Sequence, residues 1–164
     1  MNKLIPSFFA ALALSCASGA SPTNEIFYDP CEPVVVVPDA AATAAQLEGI
    51  KAAIKLWKEV GVGSLSLESA PGQQHVRVYF KDALALFHGV YEPSNGEVRI
   101  NNVMANRALD ITIAHELGHA IGLPHVDRGA RISVMNPSNE TIAPTVDDAK
   151  QLRERWLCPA PAPF

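Results

Sequence analysis

The run His115-Glu116-Leu117-Gly118-His119-Ala120-Ile121-Gly122-Leu123-Pro124-His125 constrains this chain more than any other part of it. In a helix of roughly 3.6 residues per turn, His115 and His119 lie about one turn apart on one face, so both imidazoles can reach one ion. A third ligand cannot come from the same helix without pointing elsewhere. Gly122 supplies the break, because glycine takes a positive φ easily and can turn the chain so that His125 comes back toward the first two. Three neutral imidazoles would leave the fourth position of a tetrahedral ion open, the arrangement of a catalytic rather than a structural zinc site.

Glu116 faces a different azimuth from its neighbour His115. It is badly placed to join the ligand set but well placed to reach a water at the open position. Zinc lowers the pKa of such a water toward ~7, and Glu116 could take its proton and pass it to a leaving amine. Three histidines satisfied in an ordinary core is the poorer reading, since buried histidine is unusual without a partner. The residues predict metal-assisted hydrolysis with one Zn2+ held by His115, His119 and His125, and Glu116 as general base.

This eleven-residue pattern resembles the signature of the metzincin zinc metalloproteases. Ser133-Val134-Met135-Asn136-Pro137, ten residues past His125, resembles the family's Met-turn, and its Met-x-Pro form is most similar to the matrixin branch, the matrix-metalloproteinase relatives. Leu86 to Pro93 resembles the edge strand along which matrixins pair with substrate backbone, and Glu97 to Asn101 resembles the strand that follows. The resemblance implies an α/β (α+β), zincin-like fold. Its parts would be a twisted mixed five-stranded sheet with a backing helix, an active-site helix and a small C-terminal lobe ending in a helix. It also implies a monomeric endopeptidase acting on peptide or protein substrates.

The sequence departs from that pattern in places. Val126 follows the third histidine where matrixins usually carry Ser or Thr and adamalysins Asp, and Asp127 comes one position later. No Tyr stands beside Met135, so the extra Tyr ligand of astacins and serralysins is missing. Of the four ligands in the structural zinc site of vertebrate matrixins only His88 has a counterpart, so His75 and His88 read as ordinary histidines. No Asp-rich calcium loop is evident. A non-catalytic zinc-binding surface protein that kept this fold is the alternative from another functional class, and the intact Glu116 speaks against it.

The N-terminus reads as an export signal over residues 1–20, followed by a single catalytic domain over 21–164. Lys3 gives a positive start, Leu4 to Leu14 is an apolar run of signal-peptide length and too short to span a bilayer, and Ser18-Gly19-Ala20 offers small residues for cleavage before Ser21. Leu12-Ala13-Leu14-Ser15-Cys16 also resembles a bacterial lipobox, which would leave Cys16 lipid-modified and the protein tethered to a membrane. Both routes place the domain outside the cytoplasm: secreted, periplasmic or lipid-anchored.

In an oxidising compartment the remaining pair, Cys31 and Cys158, reads as a disulfide joining the two ends of the domain. Asp29-Pro30-Cys31-Glu32-Pro33 bears a faint likeness to the cysteine switch that keeps matrixins latent, but the disulfide is the better reading. A net charge of -4 with no Lys/Arg cluster excludes a nucleic-acid binder.

Around the motif, Val34 to Val37 reads as a buried strand. A helix follows, with Asp39 as its N-cap, Leu47, Ile50, Ile54 and Trp57 as its apolar stripe and Gly61 as its left-handed stop. Strands are expected over Ser64 to Glu68, His75 to Lys81, Leu86 to Tyr91 and Glu97 to Asn101, the last two separated by the turn Pro93-Ser94-Asn95-Gly96. The motif helix is expected from about Asp110 to Ile121. A final helix would start at Thr145, capped through Asp148, and bury Val146, Ala149, Leu152 and Trp156.

Overall fold

A computed structural model describes residues 25–159 apart from 70 and 85. The expected export signal over 1–20 and the lipid-acceptor reading of Cys16 lie outside the described residues.

Eight elements follow in order: β1 Val34–Pro38, α1 Ala44–Glu59, β2 Leu65–Ser66, β3 Gln74–Lys81, β4 Gly89–Glu92, β5 Glu97–Asn101, α2 Asn106–Ala120 and α3 Val146–Trp156. The five strands form one mixed sheet in the order β2-β1-β3-β5-β4. β1, β2, β3 and β5 pair in parallel, with Val36 opposite Val76 and Val78 opposite Val98. Only β4 runs antiparallel, against β5, and it lies at the edge. The four-valine run of β1 fits its central place, because a strand covered on both faces needs no polar alternation.

The core lies between this sheet and the helices. Val34, Val36, Val76, Val78, Val98 and Ile100 are buried on the strands, and Ile50, Ala53, Trp57, Ile113, Ala114 and Leu117 on α1 and α2. Trp57, fully buried on α1, donates its indole N–H to the carbonyl of Ala114 on α2 at 2.9 Å. That bond satisfies the polar edge of a large apolar side chain and sets the backing helix against the motif helix.

Several expected boundaries moved. α1 is capped by Thr43, not Asp39: Thr43 accepts from the Gln46 N–H while the Gln46 side chain accepts from the Thr43 N–H, a reciprocal capping box. Asp39 instead accepts from the Ala41 N–H in a local turn, the competing use of a short carboxylate. β2 shrinks to Leu65–Ser66 and β4 begins only at Gly89. α2 starts at Asn106, ahead of the expected Asp110, behind an Ala105 that offers no capping side chain. α3 is capped by Thr145 and Asp148 as expected, but Val146 at its start is exposed.

Candidate metal centre and active site

α2 enters the site as a nearly all-buried helix, with Ile111, Ile113, Ala114 and Leu117 fully enclosed. It ends in a Schellman turn. Gly122 takes φ +98°, its N–H bonds to the carbonyl of His119 at 2.9 Å, and the Leu123 N–H bonds to that of Gly118 at 2.9 Å. The reversal is held from outside by Trp156 of α3, whose indole N–H donates to the carbonyl of Ile121 at 2.8 Å. The chain then returns past Leu123 and Pro124 and delivers His125 beside the two helical histidines.

The three Nε2 atoms form a nearly equilateral triangle: 3.1 Å between His115 and His119, 3.2 Å between His115 and His125, and 3.2 Å between His119 and His125. Donors ~2.05 Å from one ion at tetrahedral angles would sit ~3.3 Å apart, so the triangle fits Zn2+. The far sides of two rings reinforce the fit. His115 Nδ1 lies 2.6 Å from the carbonyl of Val134, and His119 Nδ1 lies 2.8 Å from that of Leu123. A carbonyl can only accept, so each Nδ1 carries the hydrogen and each Nε2 turns a lone pair inward. Converging lone pairs repel one another unless a cation sits between them.

Burial acts in the same direction. It lowers the pKa of His115 despite the Val134 hydrogen bond, and it lowers that of His119 to about 4, with His115 adding to the effect. Both imidazoles are thus neutral, the form that binds a metal. Glu116, 6% exposed, is pushed up to about 8 by burial, partly offset by a hydrogen bond from the Tyr91 backbone N–H.

That bond brings the edge strand into the site. β4 passes so close over α2 that a Cβ on Gly89 would stand 3.0 Å from Glu116 Cγ and 2.9 Å from Thr112 Cγ2. Only glycine allows this approach. Beside Glu116 opens a cavity of about 240 Å³, walled by the segment Leu86–Gly89 on one side and Pro137–Asn139 on the other. His88 Nδ1 meets Glu140 Oε1 at 2.8 Å and so ties these two walls together. His88 therefore takes part in shaping the cleft, whereas His75 lies exposed on β3.

Met135 is fully buried beneath Gly118 of the histidine helix, and its carbonyl accepts from the Val126 N–H at 2.9 Å, holding the strand of chain that carries His125. Sequence reasoning gave Asp148 only a capping role, and the structure gives it a second one. Its carboxylate accepts from Arg131 Nη1 at 2.6 Å, from the Ser133 hydroxyl, from the Val134 N–H at 3.2 Å and from the Thr145 N–H at 2.9 Å. Burial would raise this carboxyl, but the hydrogen bonds from Ser133, Arg131 and Thr145 outweigh it and hold it below its usual value. Asp148 therefore ties α3 to the Met135 turn, and through Val134 to the ring of His115. Cys31 and Cys158 form the expected disulfide, with Cα atoms 5.3 Å apart. Among the described residues no helix is long and apolar enough to cross a membrane.

No protein-family model matches the chain, and no curated protein matches its sequence. Solved structures do match. One is high choriolytic enzyme 1, a hatching-enzyme zinc protease of the medaka fish Oryzias latipes, at 12% identity and a TM-score of 0.52, covering 85% of this chain and 97% of that one. At this identity the likeness is one of fold: a mixed five-stranded sheet with three helices, a zincin-like arrangement.

Proposed function

We propose that this chain is an exported zinc-dependent endopeptidase, with His115, His119 and His125 as metal ligands and Glu116 as general base. The observation that carries the reading is the Nε2 triangle of 3.1–3.2 Å beside a buried carboxyl. A Zn2+ ion held there would act as a Lewis acid toward a peptide carbonyl and the attacking water. The chain's own groups account for the rest. Glu116 is kept in place by the Tyr91 N–H, and the charge of a bound Zn2+ would oppose the effect of burial and favour its ionised form; as the carboxylate it would take a proton from the water and deliver it to the departing amine. The free edge of β4 receives an extended peptide by backbone pairing and lays it over Glu116.

The Met135-Asn136-Pro137 turn favours a matrixin-like branch, and Val126 sets the chain apart from that branch's usual form. The disulfide fits an oxidising, extracytoplasmic site of action, reached by secretion or through a lipid on Cys16. Replacing Glu116 by alanine should leave zinc bound and remove peptide cleavage. Hydrolysis that persists in that variant defeats the assigned role.

A further inference from the structure

The last carbonyls of a helix have no partners within it and must find them elsewhere. At the end of α2 the turn at Gly122 returns N–H groups to the carbonyls of Gly118 and His119. The next two carbonyls are met from distant parts of the chain. The Tyr28 N–H donates to Ala120 at 2.9 Å, and the Trp156 indole N–H donates to Ile121 at 2.8 Å. Tyr28 lies three residues before Cys31, and Trp156 lies two before Cys158. The two segments that hold the end of the histidine helix are thus the two that the disulfide joins. Trp156 also closes over Gly122, where a Cβ would stand 3.0 Å from its Nε1. The bridge therefore clamps the turn that delivers His125.

The same bridge is open to attack. Cys31 is exposed, Cys158 is half-buried, and a cavity of about 150 Å³ opens beside both, lined also by Pro30, Gly61, Leu152 and Arg153. Arg153 brings a positive charge to this cavity, and a cation beside a cysteine favours the thiolate that must depart when the bond breaks.

We infer that Cys31 and Cys158 form a redox switch on the metal centre: the closed bridge locks Tyr28 and Trp156 onto the end of α2 and fixes His125, and the open one lets the turn loosen and zinc leave. The inference rests on the reading of His115, His119 and His125 as zinc ligands and adds its regulation, since the centre is then competent only in an oxidising compartment. In the opening step a dithiol attacks one sulfur as a thiolate, the S–S bond breaks, and the other cysteine departs as a thiolate. A second attack releases the dithiol as its own disulfide. Two electrons pass to the protein, and each cysteine takes up a proton that the dithiol gave up.

The test follows zinc release from the zinc-loaded protein to a coloured chelator, in the cold, before and after reduction by a phosphine. Near-ultraviolet circular dichroism is recorded in parallel, and the two freed thiols are titrated to show that the bridge has opened. Reduction should speed zinc release by about tenfold or more while the dichroism persists, and reoxidation should restore slow release. Trp156→Phe, which keeps the bridge but loses the N–H donor, should release zinc faster while still oxidised and respond to reduction by a smaller factor. An unchanged release rate after both thiols appear overturns the inference. So does zinc that leaves only in step with the dichroism, or an equal response to reduction in wild type and Trp156→Phe. None of these outcomes touches the peptidase reading, whereas an oxidised protein that holds no zinc defeats both.

Discussion

Replacing Asp148 by asparagine changes one oxygen for one amide, yet it should unfold this domain more readily than most substitutions in the apolar core. Both oxygens of the carboxylate face donors: Arg131 and Ser133 at Oδ1, the Val134 and Thr145 N–H groups at Oδ2. An asparagine must therefore turn its own NH2 toward donors on one side. The Asp148 side chain is 0% exposed and that of Arg131 25%, so the guanidinium would lose its buried counter-charge. Removing one partner of such a pair costs about 3–5 kcal/mol. With a urea m-value of about 2 kcal/mol/M, the midpoint should fall by about 1.5–2.5 M.

The pH dependence provides a second reading of the same group. The folded pKa of Asp148 is depressed, so its contribution is fully present above the ordinary carboxyl pKa of ~3.9 and is lost as pH falls through the folded value. The gap between wild type and Asp148→Asn should be wide at neutral pH and narrow in acid below about pH 4. Because Val134 also holds the His115 ring, zinc affinity should fall by about 10–100-fold. A variant whose urea midpoint matches the wild type at pH 7 refutes the assignment of Asp148 as the tie between α3 and the Met135 turn.

Gly122→Ala places a Cβ 3.0 Å from Trp156 Nε1 on a backbone at φ +98°, with strain on the order of 1–3 kcal/mol. Chelator competition should show weaker zinc binding through misplacement of His125, and unchanged affinity would argue against the turn's role. Gly89→Ala crowds Glu116 and should lower kcat while zinc content stays at one ion per chain; an unchanged kcat would mean that the edge strand does not position the carboxyl. Removing both Cys31 and Cys158 frees a sequence separation of 127, worth ~5 kcal/mol in the chain-entropy model. The melting temperature should then drop by about 15–20 °C, and a drop of only a degree or two would show that the bridge constrains the unfolded chain little.

The convergence of the three histidines was legible in the sequence because its geometry is local. The three lie within eleven residues, and helix pitch plus one glycine fixes how His115, His119 and His125 meet. The disulfide was legible from cysteine parity. The start of α2 was not, since the helix is buried nearly all round and lacks both a polar face and a capping side chain at Ala105. β4 was drawn too long because Leu86 and Phe87 look like strand residues, whereas Leu86 is 97% exposed on the cleft rim. The role of Asp148 escaped for another reason. Its capping box is visible in four consecutive residues, but its bonds to Arg131 and Ser133 span 17 and 15 positions and exist only once α3 docks under the Met135 turn. The His88–Glu140 tie is likewise a product of tertiary packing.

The central claim is tested most directly by incubating the purified zinc-loaded domain with a mixed peptide library and mapping the products by mass spectrometry, with and without a chelator. Internal cleavage of extended peptides is expected, stopping when zinc is withdrawn and returning when zinc is restored. A protein that holds one zinc ion per chain and cuts none of the peptides would contradict it, and would point to a zinc-binding surface protein that shares the fold without the chemistry.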